Sequence, residues 1–137
     1  MEKNYLKNPH NKVFIKNKFV YKFFKSDRKY LNEKSFYIKH KIKNIPTLFS
    51  FSDNRRLLIF NNVGTRIKKK NLNIQKLKDI NEKFIHQKIF HNDYRCKNIL
   101  FNKKNDNYYF IDWEHWDTSF TDNRKSPLWD DLRDILF

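Results

Sequence analysis

Apolar and polar positions change rhythm several times along the chain, and each change marks an element. Val13 to Ile15 and Phe19 to Phe24 are β-branched or aromatic runs of strand character. Between them stand Lys16, Asn17 and Lys18, and Asn17 tolerates a left-handed backbone, so a hairpin is predicted. Ser26 and Asp27 are good helix N-caps, and Leu31, Ser35, Ile38 and Ile42 follow at helical spacing, which predicts a helix from Arg28 to Lys41. Pro46 stops it. Two further strand-like runs, Leu48 to Phe51 and Leu57 to Phe60, flank the turn residues Ser52, Asp53 and Asn54.

Gly64 is the single glycine and the natural place for a hinge, so the chain divides into a β-rich segment, 1–62, and a second segment, 63–137. In the second, Asn73 caps a helix whose buried stripe is Leu77, Ile80 and Phe84, with Ile85 beside it, ending near Ile89. His91 to Leu100 begins as a polar loop and turns into a strand. Tyr108 to Ile111 forms the return strand and closes on Asp112-Trp113-Glu114. With the hairpin centred on Asn105, Asn98 falls opposite Asp112, and cross-strand neighbours lie about 5 Å apart. An amide oxygen and a carboxylate meeting there form the hard-oxygen set that Mg²⁺ prefers. Asp93, on the same loop, stands near enough to take a proton from an attacking hydroxyl.

The order His91-x-Asp93, four residues, Asn98, a strand pair and then Ile111-Asp112 resembles the catalytic loop and metal-binding aspartate of protein kinases. The details, His-Asn-Asp and Ile-Asp-Trp-Glu, resemble choline kinases and aminoglycoside phosphotransferases more closely. The resemblance implies an α+β, minimal two-lobed protein-kinase-like fold: an antiparallel sheet with one helix, then a reduced, mostly helical lobe. It also implies upstream partners. Lys22 sits in a strand as the phosphate-binding lysine does, and Glu33 lies in the next helix where the partner glutamate belongs. Leu57 to Phe60, leading to Gly64, resembles the strand and hinge that hold adenine, which nominates Phe60, Asn62 and Val63 for the nucleotide. Asp130-Asp131-Leu132 resembles the aspartate that buttresses the catalytic loop, with Asp131 preferred.

The implied activity is an ATP- and Mg²⁺-dependent phosphotransferase. Lys22 held by Glu33 contacts the phosphates, Asn98 and Asp112 hold the metal, Asp93 is the base, and Arg95 or Lys97 neutralises the phosphoryl group. The acceptor is a hydroxylated small molecule, a sugar or a lipid head group; a protein kinase, an autophosphorylating kinase and a pseudokinase scaffold are the alternatives. Two departures from the kinase pattern stand out. Where a glycine-rich loop is expected the chain has Asn8-Pro9-His10-Asn11, so Lys7, His10 or Lys12 is expected to touch the phosphates instead. The chain then ends on Leu128, Trp129, Leu132, Ile135, Leu136 and Phe137, a helical stripe that needs a cover and predicts a homo-oligomer, a partner or a truncated chain.

Composition changes this picture little. A net charge of +15 invites a nucleic-acid reading. The same chain has no alanine, 23 lysines against seven arginines and 18 asparagines, the mark of AT-rich codons, so a solvated basic surface is preferred and nucleic acid is kept as an alternative partner. Lys68, Lys69 and Lys70 are weak evidence by themselves. No apolar run nears the roughly 20 residues of a membrane span. The Met-Glu-Lys-Asn start lacks a signal segment, and one cysteine, Cys96, precludes an internal disulfide, so a cytoplasmic protein is expected. His86, His91 and His115 without a cysteine pair argue against zinc. Cys96 reads as a small loop residue, and Trp113, Trp116 and Trp129 as core or interface.

Overall fold

The computed structural model describes residues 11–121. The nominated Lys7, His10 and Asp131 and the apolar stripe of 128–137 lie outside the described residues. The chain divides between Asn62 and Val63 into two compact units.

In the first unit, strands β1 (Asn11–Lys16) and β2 (Phe19–Phe24) form the expected hairpin, with Asn17 left-handed at φ 56°. Helix α1 (Asp27–Lys39) follows, and strands β3 (Leu48–Ser52) and β4 (Leu57–Asn61) complete an antiparallel sheet in the order β1-β2-β4-β3. The Ser26 side chain accepts from the Lys29 N–H at 3.3 Å, which satisfies one of the orphan donors of the first turn. Sheet register places Val13, Lys22 and Leu58 in one row across three strands. Because side chains alternate along a strand, Phe24 shares that face with Lys22. The helix packs on it through Tyr30 against Phe24, with ring centres 5.7 Å apart, and Tyr37 against Phe60 at 4.6 Å.

The helix is where the periodicity places it, yet Leu31 and Ile38 are about half exposed, and the buried face is Tyr30, Glu33, Phe36 and Tyr37. In a chain this rich in aromatics the large rings win the core, and the aliphatic residues one position away are left outside. Of the glycine-loop position, Asn8, Pro9 and His10 lie outside the described residues. Asn11 already belongs to β1, and the first two described strands are joined by Asn17-Lys18.

The second unit carries β5 (Thr65–Arg66), α2 (Ile74–His86), β6 (Ile99–Asn102) and β7 (Asn107–Phe110), with the three strands antiparallel in the order β5-β6-β7. Gly64 is required by close approach: a Cβ there would lie 2.5 Å from the Phe101 carbonyl oxygen of β6. Asn73 caps α2 by accepting from the Lys76 N–H at 3.1 Å. The helix closes with Lys88 left-handed at φ 58° and the Ile89 N–H on the Phe84 carbonyl at 2.9 Å, a Schellman end in which lysine takes the place glycine usually has. Leu77, Ile80 and Phe84 are buried as expected, and Phe84 meets Phe110 and Trp113 edge-on, with ring centres 5.2 and 5.3 Å apart. No helix among the described residues is long and apolar enough to cross a membrane.

Candidate active site

The nominated residues fall in both units. In the first, the Lys22 ammonium lies 2.7 Å from a Glu33 carboxylate oxygen, with side chains only 9% and 1% exposed. β2 and α1 bring them together because Lys22 points to the same face as Phe24, and Glu33 lies on the helix face that covers it. The Lys22 Nζ also sits 4.7 Å from the centre of the Phe24 ring, a cation–π contact. Phe60 is buried against Tyr37, and Asn62 is exposed and donates its N–H to the Lys18 carbonyl at 2.6 Å. Lys12 is exposed on β1.

The second unit holds the polar loop. His91, Asn92, Asp93 and Asn98 are all buried. The His91 Nδ1 accepts from the Asp93 N–H at 3.1 Å, which makes Nε2 the donor to the Ile111 carbonyl at 2.6 Å. Those two bonds fix the tautomer and tie the loop to the end of β7. Burial pushes the imidazole below its ordinary range, against the opposing pull of the Ile111 carbonyl and of the Asp93 and Asp112 carboxylates. Trp113 packs on the same ring, centres 4.6 Å apart, and donates its indole N–H to the Phe110 carbonyl at 2.8 Å. It is a core residue.

Asp93 is held from two sides. Its carboxylate takes the Arg95 Nε–H at 2.6 Å, and its carbonyl accepts from the Asn98 Nδ2 at 2.9 Å. The second bond uses the nitrogen end of the Asn98 amide and so fixes the direction of Oδ1. Cys96, in the short 3-10 turn of Cys96–Asn98, is buried. Lys97 is half-buried and Val63 buried.

The hairpin register differs from expectation by one residue. Ile99 faces Phe110 and Asn102 faces Asn107, so Asn98 stands opposite Ile111, whose N–H donates to the Asn98 carbonyl at 2.9 Å. The connection takes four residues, Lys103 to Asp106, and its centre falls between Lys104 and Asn105. A slip of one residue turns a strand residue to the other face. The expected pairing of Asn98 with Asp112 is therefore not formed: β7 ends at Phe110, and Asp112 lies beyond it, left-handed at φ 63°. Asp112 and Glu114 present carboxylate oxygens within 4.8 Å of one another.

Sequence reasoning missed Glu114 as a possible ligand and Asn92 as an organiser. The signal for Glu114 was its place two residues after Asp112. Asn92, left-handed at φ 65°, donates to the His115 and Ser119 carbonyls at 3.2 and 3.1 Å and accepts from the Thr121 N–H at 2.9 Å. Nothing local announces those long-range bonds.

Solved structures share the fold. The fold is α+β and protein-kinase-like: the chain aligns with the bifunctional kinase-methyltransferase WbdD at a TM-score of 0.64 and 17% identity, over 80% of this chain and 30% of that one. It also aligns with the kinase PK-1 of Cydia pomonella granulovirus at a TM-score of 0.60 and 22% identity, over 82% of this chain and 52% of that one. The chain therefore spans about a third to a half of the structures it resembles. No protein-family model matches it. No curated protein matches it either.

Proposed function

We propose that the protein is an ATP- and Mg²⁺-dependent phosphotransferase that moves the γ-phosphoryl group to a hydroxyl acceptor. The observation that carries this reading is the buried loop in which Asp93, paired with Arg95 at 2.6 Å, is tied to Asn98 at 2.9 Å, while Ile111, the residue before Asp112, donates its N–H to the Asn98 carbonyl at 2.9 Å. An amide oxygen and two carboxylates are the hard donors that suit Mg²⁺, so Asn98 and Asp112, with Glu114 added, are the residues to hold it. Bound there, the ion would neutralise phosphate charge.

The rest belongs to the chain's own side chains. Lys22, fixed by Glu33, contacts the nucleotide phosphates. Phe60, Asn62 and Val63 mark the adenine side. The acceptor oxygen attacks the γ-phosphorus, the bond from that phosphorus to the β,γ-bridging oxygen breaks with release of ADP, and the hydroxyl proton passes to Asp93. Arg95 holds the carboxylate of Asp93 in place and, with Lys97, offsets charge on the transferring group. Asp112-Trp113-Glu114 supports a small hydroxylated acceptor, a sugar or a lipid head group, by its resemblance to choline kinases and aminoglycoside phosphotransferases. The test is ATP turnover with and without Mg²⁺ on the parent chain and on Asp112→Ala. Mg²⁺-dependent turnover lost in the variant supports the assignment; turnover that persists in the variant refutes it.

One observation favours a second reading, a nucleotide-binding pseudokinase: the turn between the first two described strands is only Asn17-Lys18, with no glycine. Metal-dependent stabilisation by nucleotide without phosphate transfer selects it. Self-association remains part of the proposal, and light scattering that shows a monomer at micromolar concentration rejects it.

A further inference from the structure

The charge of the second unit is segregated. Among its described residues, the segments 63–78 and 99–110 hold eight cations, namely Arg66, Lys68, Lys69, Lys70, Lys76, Lys78, Lys103 and Lys104, and one acid, Asp106. The remainder, 79–98 and 111–121, holds four cations and six acids. Codon bias scatters lysine without regard to place, so it does not account for this division.

The fold binds the two segments together. The Tyr108 hydroxyl, on β7, donates to the Asn71 carbonyl and accepts the Asn73 N–H at 3.0 Å. The Lys76 ammonium donates to the Asp106 carbonyl and lies 3.8 Å from its carboxylate, so the one acid of the two segments faces a lysine of the patch. β5 pairs with β6 through Thr65 with Phe101 and Arg66 with Leu100. Arg66, Lys68, Lys69, Lys70, Lys103 and Lys104 are exposed. Helix α2 begins beside them without an acid in its first turn, which adds the positive end of its dipole to the same region.

We propose that this surface binds double-stranded nucleic acid through the phosphate backbone. Its chemistry selects that partner from the polyanions. The large apolar side chains exposed among the described residues are Leu31, Ile38, Phe49, Phe51 and Phe120, and none lies in the two segments. The patch therefore has no wedge to insert into a membrane and no exposed ring on which unpaired bases would stack. Its groups are ammonium, guanidinium and carboxamide, all of which bond to phosphate oxygens and sugar.

If all six exposed cations each neutralise a phosphate, the logarithm of the binding constant falls with the logarithm of salt concentration at a slope of about −5 on duplex DNA. The experiment is fluorescence anisotropy of the full chain with labelled duplex DNA, duplex RNA, single strands and vesicles of anionic lipid, between about 50 and 200 mM salt. Lys68, Lys69, Lys70, Lys103 and Lys104 are changed together to Gln. A control removes five exposed cations of the first unit, Lys25, Arg28, Lys39, Lys41 and Lys43, in the same way. The proposal expects duplex to bind more tightly than single strands or vesicles. It also expects the slope to fall to about −1 in the first variant and to change little in the control. An unchanged slope in the first variant, an equal loss in the control, or a preference for single strands or vesicles overturns it. Melting temperature and far-UV circular dichroism establish that both variants are folded, and the choice between DNA and RNA follows from the two duplex arms.

Discussion

Removing the carboxylate of Glu33 strips the Lys22 ammonium of a partner at 2.7 Å in a place where solvent reaches only 9% of the lysine side chain and 1% of the glutamate. Water reaches this place poorly, so Glu33→Ala takes a close carboxylate away from a buried charge and opens a small void beside it. Breaking a buried pair from one side costs about 3–5 kcal/mol. At about 4 °C per kcal/mol for a chain of this size, the melting temperature should fall by about 10–20 °C. The double variant Lys22→Met, Glu33→Leu keeps the volume and removes both charges, so its stability should lie within about 2 kcal/mol of the parent or above it. Urea unfolding of the parent, Glu33→Ala, the single variants Lys22→Met and Glu33→Leu, and the double variant, followed by far-UV circular dichroism, measures the coupling directly. A loss below about 1 kcal/mol in Glu33→Ala is the behaviour of an exposed pair and refutes the burial on which the reasoning rests. A double variant as unstable as the sum of its singles refutes the pairing.

Asp93→Asn should cut phosphate transfer by about 10²–10⁴-fold with little change in nucleotide affinity, measured by turnover and by titration calorimetry; equal loss of both removes its role as base. His91 titrates below its ordinary value when folded, so between the unfolded pKa of about 6.5 and the lower folded value the unfolded chain binds the extra proton. Its stabilising contribution is present above pH 6.5 and is lost as pH falls, at up to about 1.4 kcal/mol per unit, and His91→Gln should remove that part of the slope in unfolding measured from pH 7 to pH 5. Gly64→Ala drives a Cβ to 2.5 Å from the Phe101 carbonyl oxygen and should destabilise the β5–β6 pairing by about 1–3 kcal/mol, read as a lower urea midpoint. An unchanged midpoint would show that β5 yields without cost.

The local signals in this chain were strong where one residue type decides the backbone. Asn17 in the first hairpin, Ser26 and Asn73 at the helix starts, and the runs of β2 and β4 each fixed an element within a few residues. The spacing His91-x-Asp93 to Asn98 likewise put a polar cluster on one loop, which the bond from the Asn98 amide to the Asp93 carbonyl closes at 2.9 Å. Tertiary packing decided the rest. It chose which face of α1 is buried, since Tyr30, Phe36 and Tyr37 bury more surface than Leu31 and Ile38. It set the hairpin register one residue from the symmetric guess, since a four-residue turn suits the Asn102 side chain, which accepts from the Lys104 N–H at 3.0 Å. It alone gathered lysines some 30 positions apart around Tyr108. A sequence specifies short-range geometry through backbone torsions and caps. Which distant groups meet depends on how the faces compete for burial, and that competition has an answer only in three dimensions.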